Sequence, residues 1–589
     1  MCGIAAILAG TDASRPVDPE ELLRMRERMV ARGPDGAGSW LSESGKVGLA
    51  HRRLAILDLS PAGSQPMHSH CGRYHIVFNG EIYNFRALRE DLIQQGVSFA
   101  SHSDTEVILH LYARYDVAML EGLRGMFAFA LWDEQKQTLL LARDHFGIKP
   151  LYLADDGKTL RAASQVKALL AGGGIETAAD PAGHTGFFLW GHVPEPHTLY
   201  RHIRPLPPGS WLVAGADGSR RTGRFFNLTD EIATARAAPA PDPDALARVL
   251  RDSVAHHLES DVPVGVFLSS GLDSTTLAAL VAGLAPQPPQ TVTLSFEEFA
   301  GTPKDEAPLA EQVAALYGCK HNTVRIRASD FADVRARILE DMDQPTIDGV
   351  NTWLVARAAA GLGLKVALSG VGGDELFAGY NTFQTLPRMV RWLLPFSAFP
   401  GLGRGFRKLT APWIGHVTSA KTAGLLEYGG SWDGAYLLRR GLYMPWELDH
   451  VLDSDMARAG LETLRDCNGL TQACANIDSD RWRVSALETS LYMRNQLLRD
   501  SDWAGMAHSL EIRTPLVDIN LFRAVLALTV DQFPNKGHMA DTAVPPLPAS
   551  ILHRRKTGFF VPITHWLGQS SLKGWANSVH QAFDQNCSS

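Results

Sequence analysis

A proline-rich run at 237–244, AAPAPDPD, separates two stretches with different hydrophobic patterns. Runs of this composition act as semi-rigid spacers. Before it, short apolar runs are bounded by turn residues. After it, strand-like runs alternate with helical ones. A chain of 589 residues is also too long for one ordinary core. The expected organisation is a domain at 1–210, a linker at 211–245 and a second domain at 246–589.

Composition narrows the function classes. Hydrophobic residues make up 45% and charged residues 20%, as in a globular chain rather than a disordered one. The net charge is -7 and no basic block occurs. That excludes nucleic acid as the main partner, since phosphate binding needs clustered Lys and Arg. The six cysteines are scattered without a C-x-x-C pair, which indicates neither a disulfide framework nor a zinc site and suits a reducing cytoplasm. The opening is a poor export signal. No run approaches the ~20 apolar residues that span a bilayer, so no membrane partner is expected.

The first part reads as β-rich. Strands are predicted at 47–57, 74–78, 127–132 and 138–142, with helices at 85–95 and 105–115, the latter after the capping pair Ser103-Asp104. Antiparallel strands with few helices imply an α+β sheet sandwich. Polar clusters stand at strand ends. Asn79-Gly80 alone also reads as a hairpin turn, and Arg53 alone as a solvated strand face. Cys2 admits three readings: a small buried apolar residue, a lipid attachment site, or a nucleophile exposed as a new N-terminus when Met1 is removed. The apolar run follows Cys2 rather than preceding it, which disfavours the lipid site.

In the second part a helix is predicted at 245–257 and strands at 262–268, 292–296 and 365–368. Strands alternating with helices imply a doubly wound parallel sheet, with ligands at the strand C-termini. The first strand runs into SSGLDS at 269–274 and then a helix. Backbone N–H groups at such a helix start favour phosphate; by shape alone the segment is equally an ordinary capped turn. Asp273 and Asp374 both fall at strand ends, and two carboxylates near phosphate oxygens suit Mg²⁺. The segment 381–480 reads as helical and carries few motifs.

Residues 2 to about 165 contain, in order, MCGIAAI, ARGPDG, HRRLAILDLS, QPM, FNGEIYNF, SDTEVIL, GMFAFALWD and ARDHFGIKPLY. They resemble the glutaminase domain of the class II glutamine amidotransferases, an Ntn-hydrolase-like fold. The resemblance implies that Cys2 is the nucleophile after methionine loss, with its own α-amine as base. It implies an oxyanion hole at Asn79 and Gly80. Arg53 would pair the glutamine α-carboxylate and Asp104 its α-ammonium, with Glu81 in the same loop and Leu54, Ala55, Ile56 and Leu57 lining the pocket. The second part resembles the ATP-pyrophosphatase domain of glutamine-hydrolysing asparagine synthetases. There the resemblance implies ATP and pyrophosphate binding by Leu268, Ser269, Ser270, Gly271, Asp273, Ser274, Leu294, Ser369 and Gly370, with Mg²⁺ on Asp273 and Asp374. Lys556, in HRRKTGFFVP, matches a lysine near the reacting phosphate; alone it reads as part of a solvated charge run.

The reaction implied is glutamine-dependent amidation of an adenylated carboxylate, with aspartate as the default acceptor and a homodimer as an open expectation. Alternatives are another carboxylate (a sugar acid, peptide or secondary metabolite), a glutaminase alone, or a non-catalytic sensor. The chain departs from the family in four places. Val371 replaces an acid, Trp503 replaces an arginine, and 535–549 lacks the usual arginine-bearing helix. Ser270 also stands where the pyrophosphate loop carries a glycine.

Overall fold

The computed structural model describes residues 2–10, 16–235, 244–466, 474–528, 534–554, 561–569 and 571–587. Two six-stranded antiparallel sheets form the first part. In one, Gly3–Ala9 pairs with Val47–Arg53 on one side and Thr159–Ala163 on the other. In the second, Tyr74–Ile82, Gly125–Asp133 and Thr138–Arg143 are the central strands. The facing sides share one apolar core, with Ile4, Ala6 and Leu8 meeting Val77, Ala128, Ala130 and Trp132. Helix Pro19–Glu27 covers the outer face of the first sheet. Phe85–Gln94 and Asp104–Tyr115 cover that of the second. Gly3–Ala9 is buried on both faces, so it is continuously apolar instead of alternating. The sandwich is thus as the sequence implies.

Two local readings change. Residues 210–224, assigned mostly to the linker, form the edge hairpin Ser210–Gly215 and Arg220–Arg224 of the second sheet. The turn-like composition at 214–218 is the tip of that hairpin, with Gly218 at φ 86°. Asn79-Gly80 is not a turn: both residues lie inside the strand Tyr74–Ile82, opposite Ala128 and Phe127.

The second part is built on a parallel sheet ordered Lys320–Ile326, Gln290–Phe296, Val264–Phe267, Val366–Leu368, Glu511–Arg513. Ala367 and Leu368 project into different apolar clusters. One holds helix Val350–Gly361; the other holds Ala245–His257, Leu272–Leu284 and Ala307–Leu316. Helices therefore cover both faces. In chain order the strands run third, second, first, fourth, fifth, so the topology reverses between Val264–Phe267 and Val366–Leu368. The loops leaving those two strands flank the crevice where doubly wound sheets bind ligands. Helices Thr382–Ser397, Pro400–Val417, Trp432–Arg440 and Ser454–Asp466 occupy the region read as helical. Among the described residues no helix is long and apolar enough to cross a membrane.

Candidate active sites

Cys2 directly precedes the strand Gly3–Ala9 and is buried. Its backbone N–H donates to Asn79 Oδ1 at 3.0 Å, and its sulfur lies 4.0 Å from the Leu54 carbonyl oxygen. Asn79 is 0% exposed, and its Nδ2 has no hydrogen-bond partner. An unsatisfied buried donor costs about 1–3 kcal/mol. Beside a nucleophile, such a donor can stabilise a developing oxyanion. At Gly80 a Cβ would lie 2.1 Å from the Met126 carbonyl oxygen, so only glycine allows this approach of the two strands. Burial pushes the Cys2 thiol above its ordinary range, and forming the thiolate therefore needs a base. Among the described residues no imidazole hydrogen-bonds to Cys2.

Asp104 opens the helix Asp104–Tyr115, and its Oδ2 accepts the Ile82 N–H at 2.9 Å. Burial lifts this carboxyl to about 6. Glu81 is buried 3.4 Å from the Arg513 guanidinium; burial and the nearby Glu511 push it well above the carboxylate range. Arg53 ends the strand Val47–Arg53, not the longer one predicted, and donates to the carbonyl oxygens of Ser60 at 3.0 Å and of Asp58. Leu54 and Ile56 pack against Val366 and Met506 of the second part. The Ala55 N–H donates to Asp35 at 2.8 Å, and Leu57 borders the cluster under the second sheet.

The second site is a cavity of about 810 Å³ at the topological switch. Leu268, Ser269, Ser270, Gly271, Asp273, Ser274, Leu294, Ser369, Gly370 and Asp374 all line it. Ser269 Oγ lies 2.8 Å from Ser274 Oγ and accepts the Gly271 N–H at 3.1 Å, which fixes the loop at the start of helix Leu272–Leu284. Ser270 is tolerated because its hydroxyl turns away to Glu306, 3.2 Å. Lys556 lies outside the described residues.

Lys536 is the residue that sequence reading missed. The segment 535–549 does begin with a helix, Lys536–Ala540, but a short one without arginine. Asn535 caps it, accepting the Gly537 N–H at 2.8 Å; Asn before a polar turn was the available signal. The Lys536 ammonium pairs with both Asp374, at 2.7 Å, and Asp273. Two carboxylates that converge on one cation fit a divalent ion completed by phosphate oxygens and water. No cluster of three or more His, Cys, Asp or Glu that could hold a metal by itself occurs among the described residues.

Further acids line the cavity. Asp348, Glu375 and Asp500 line it with Arg440, Tyr380, Tyr492 and Val371. Burial lifts Glu375 and Asp500 to about 8, helped by Asp374 and Asp348 respectively. Asp500 accepts from Thr346 at 3.0 Å and from the Trp503 indole at 2.8 Å. Trp503 thus holds a carboxylate through a neutral donor, where arginine would bring charge. Arg440 is bound to the buried Glu488 at 2.9 Å and lies over the rings of Tyr380 and Tyr492.

Two guanidiniums connect the sites. Arg32 donates to the Cys2 carbonyl oxygen at 3.0 Å and makes a bidentate pair with Asp502 at 2.6 and 3.0 Å. Arg513 pairs with Glu511 at 2.6 Å as well as Glu81, and its carbonyl oxygen accepts the Ser369 N–H at 2.8 Å.

Fold and sites together define a protein with two sites, a buried cysteine beside an orphan amide donor in one and a cavity with a small-residue loop at a helix start in the other. Residues 1–226 match the glutamine amidotransferase domain family and residues 245–583 match asparagine synthase. An asparagine synthetase (glutamine-hydrolyzing) 1 of Bacillus subtilis is 31% identical over 99% of this chain and 90% of its own length. A putative asparagine synthetase of Mycobacterium bovis is 33% identical over 98% and 90%. An amidase, chry2, of Gibberella zeae is 30% identical over 65% of this chain and 60% of that protein. The chain belongs to the glutamine-hydrolysing asparagine synthetase family, and is an ATP-dependent amidotransferase ligase.

Proposed function

We propose that glutamine is hydrolysed at Cys2 after loss of Met1, and that its ammonia amidates a carboxylate adenylated by ATP in the second cavity. The orphan, wholly buried Nδ2 of Asn79 beside Cys2 carries this reading. The freed α-amine has a pKa of roughly 7.7–8.0 and takes the thiol proton. The thiolate attacks the glutamine side-chain carbon, the Cys2 α-ammonium returns its proton to the amide nitrogen as the C–N bond breaks, and ammonia departs from a γ-glutamyl thioester that water hydrolyses to glutamate. Asn79 Nδ2 and the Gly80 N–H bind the oxyanion. Arg53 and Asp104 hold the substrate's α-carboxylate and α-ammonium, and Glu81 and the 54–57 backbone shape the pocket.

In the second cavity the loop from Ser269 to Ser274 and the helix behind it bind the phosphates that leave as pyrophosphate. Leu268, Leu294, Ser369 and Gly370 hold the adenosine part. Asp273 and Asp374 would hold Mg²⁺, which when bound neutralises phosphate charge. Lys536 and Lys556 add cations beside the same oxygens. An interior route spares ammonia from protonation in water. A homodimer working in the cytoplasm belongs to the same proposal.

Aspartate is the acceptor the family implies. A second reading, a carboxylate without a further acid group, is favoured by the charges lining the cavity. The described cations lining the cavity are Arg440, Lys536 and Arg554, and each is already paired with an acid. Aspartate would bring a second carboxylate beside Asp348, Glu375 and Asp500, whose carboxyls burial pushes up, with no unpaired cation among the described lining residues to receive it. An acceptor bearing amine or hydroxyl groups can instead hydrogen-bond to these acids.

The test is incubation with ATP, amide-¹⁵N glutamine and a panel of carboxylic acids, including aspartate, sugar acids and short peptides. Pyrophosphate release that depends on one acid, with the label in its new amide, supports the proposal and names the acceptor. Glutamate release with no acid-dependent use of ATP would reduce the protein to a glutaminase. Intact glutamine and ATP would make it a sensor.

A further inference from the structure

The segment from 382 to 417 has no place in either chemistry. It forms two helices, Thr382–Ser397 and Pro400–Val417. It contains Arg388, Arg391, Arg404, Arg407 and Lys408 and not one Asp or Glu, in a chain whose net charge is -7. Leu386 anchors the first helix in the core, with Phe383, Met389 and Val390 packed beside it, but many of the other apolar residues face solvent. Trp392 is 79% exposed and Leu409 76%, and Leu394, Phe399, Leu402 and Trp413 are also exposed. Trp392, Phe396 and Phe399 fall at i, i+4 and i+7 of the first helix and the bend after it. Leu402, Leu409 and Trp413 fall at i, i+7 and i+11 of the second. These spacings make an apolar stripe on each helix. One flank of the second helix rests on the body: a Cβ on Gly403 would fall 2.8 Å from Glu427 Cα. Scattered exposed apolar residues need no explanation, but a contiguous set with two tryptophans marks an interaction surface.

We propose that this helical hairpin docks on an anionic lipid bilayer, lying in its interface. Exposed Trp, Phe and Leu beside Arg and Lys is the composition of helices that lie in a headgroup layer without spanning it. Charge decides among occupants. A second copy in two-fold contact would set one acid-free basic hairpin against another. Arg391, Arg404 and Arg407 have carboxylate partners in Asp480 and Glu427. Among the described residues, Arg388 and Lys408 have none and stay available for lipid phosphate. Trp392 and Leu409 project from the surface instead of lining a cleft, which suits a fluid layer better than a shaped protein partner. The cavity-lining Gly379 and Tyr380 lie just before Thr382, so docking would set the second cavity close to the membrane.

The experiment is co-sedimentation of the full chain with vesicles of phosphatidylcholine alone and of an equimolar mixture with phosphatidylglycerol. Two variants are compared, one with Trp392→Ser, Leu409→Ser and Trp413→Ser, the other with Arg388→Glu and Lys408→Glu. Glutamate release by each variant serves as the folding control. The expected result is binding about tenfold tighter to the anionic vesicles, reduced by about that factor in either variant with glutamate release unchanged. No binding to the anionic vesicles, or undiminished binding by both variants, overturns the proposal. So does a dimer in sedimentation velocity that the Ser variant abolishes, since the hairpin would then be covered by a second copy.

Discussion

Replacing Asn79 by alanine removes one bond and one orphan. The bond is from the Cys2 N–H to Oδ1 at 3.0 Å, and the orphan is the buried Nδ2. For catalysis, losing an oxyanion donor costs roughly 2.7–4 kcal/mol, a fall in kcat of about 10²–10³. For stability, losing one ordinary hydrogen bond costs about 0.5–1.5 kcal/mol, and relieving an unsatisfied donor returns about 1–3 kcal/mol. A small cavity offsets part of that return. Asn79→Ala should therefore lose most glutamine hydrolysis while melting within a few degrees of the parent. Glutamate release, ammonia-driven pyrophosphate release and thermal melting, measured on one preparation, separate the effects. The ammonia-driven reaction should be unchanged. A fall in glutamine kcat below about fivefold, or an equal fall with ammonia, would refute the oxyanion role.

Arg32→Met should destabilise the chain by about 3–5 kcal/mol in urea unfolding, because it leaves the buried Asp502 carboxylate uncompensated; a change below about 1 kcal/mol would contradict the burial. In the proposed glutamine site Asp104 must be ionised to receive the substrate ammonium, and its carboxyl stands at about 6. The KM for glutamine should rise about tenfold per pH unit below that value, and a flat KM between pH 5 and 7 would remove Asp104 from the site. Asp500 stands at about 8 when folded against about 3.9 unfolded. The folded state then holds a proton that the unfolded state releases, so this group lowers stability as pH rises from about 4 to about 8. Asp500→Asn should accordingly raise the melting temperature at pH 8 more than at pH 5; the reverse order would show that Asp500 stays ionised.

Legibility in the sequence followed distance along the chain. The strand Thr138–Arg143, the helix Ala245–His257 and the loop Ser269–Ser274 were readable because their signals are local: an apolar run, a helical period, small residues before a helix. Asn79-Gly80 was ambiguous because its environment is made by Gly125–Asp133, which nothing nearby announces. The hairpin of 210–224 looked like linker because a hairpin tip and a linker share Gly, Ala and Asp. Arg32 and Asp502 meet across 470 positions, and Lys536 and Asp273 across 263. No periodicity encodes such contacts. Asp348, Asp500 and Arg440 likewise line one cavity only once the sheet's switch point gathers them.

The proposed amidation depends on Cys2 delivering nitrogen to the second cavity. Amide formation by Cys2→Ala, followed with glutamine and then with ammonium as the nitrogen source, tests this most directly. The expected outcome is no product from glutamine and undiminished product from ammonium. Sustained product from glutamine would contradict the nucleophile, and loss of both reactions would contradict the separation of the two sites.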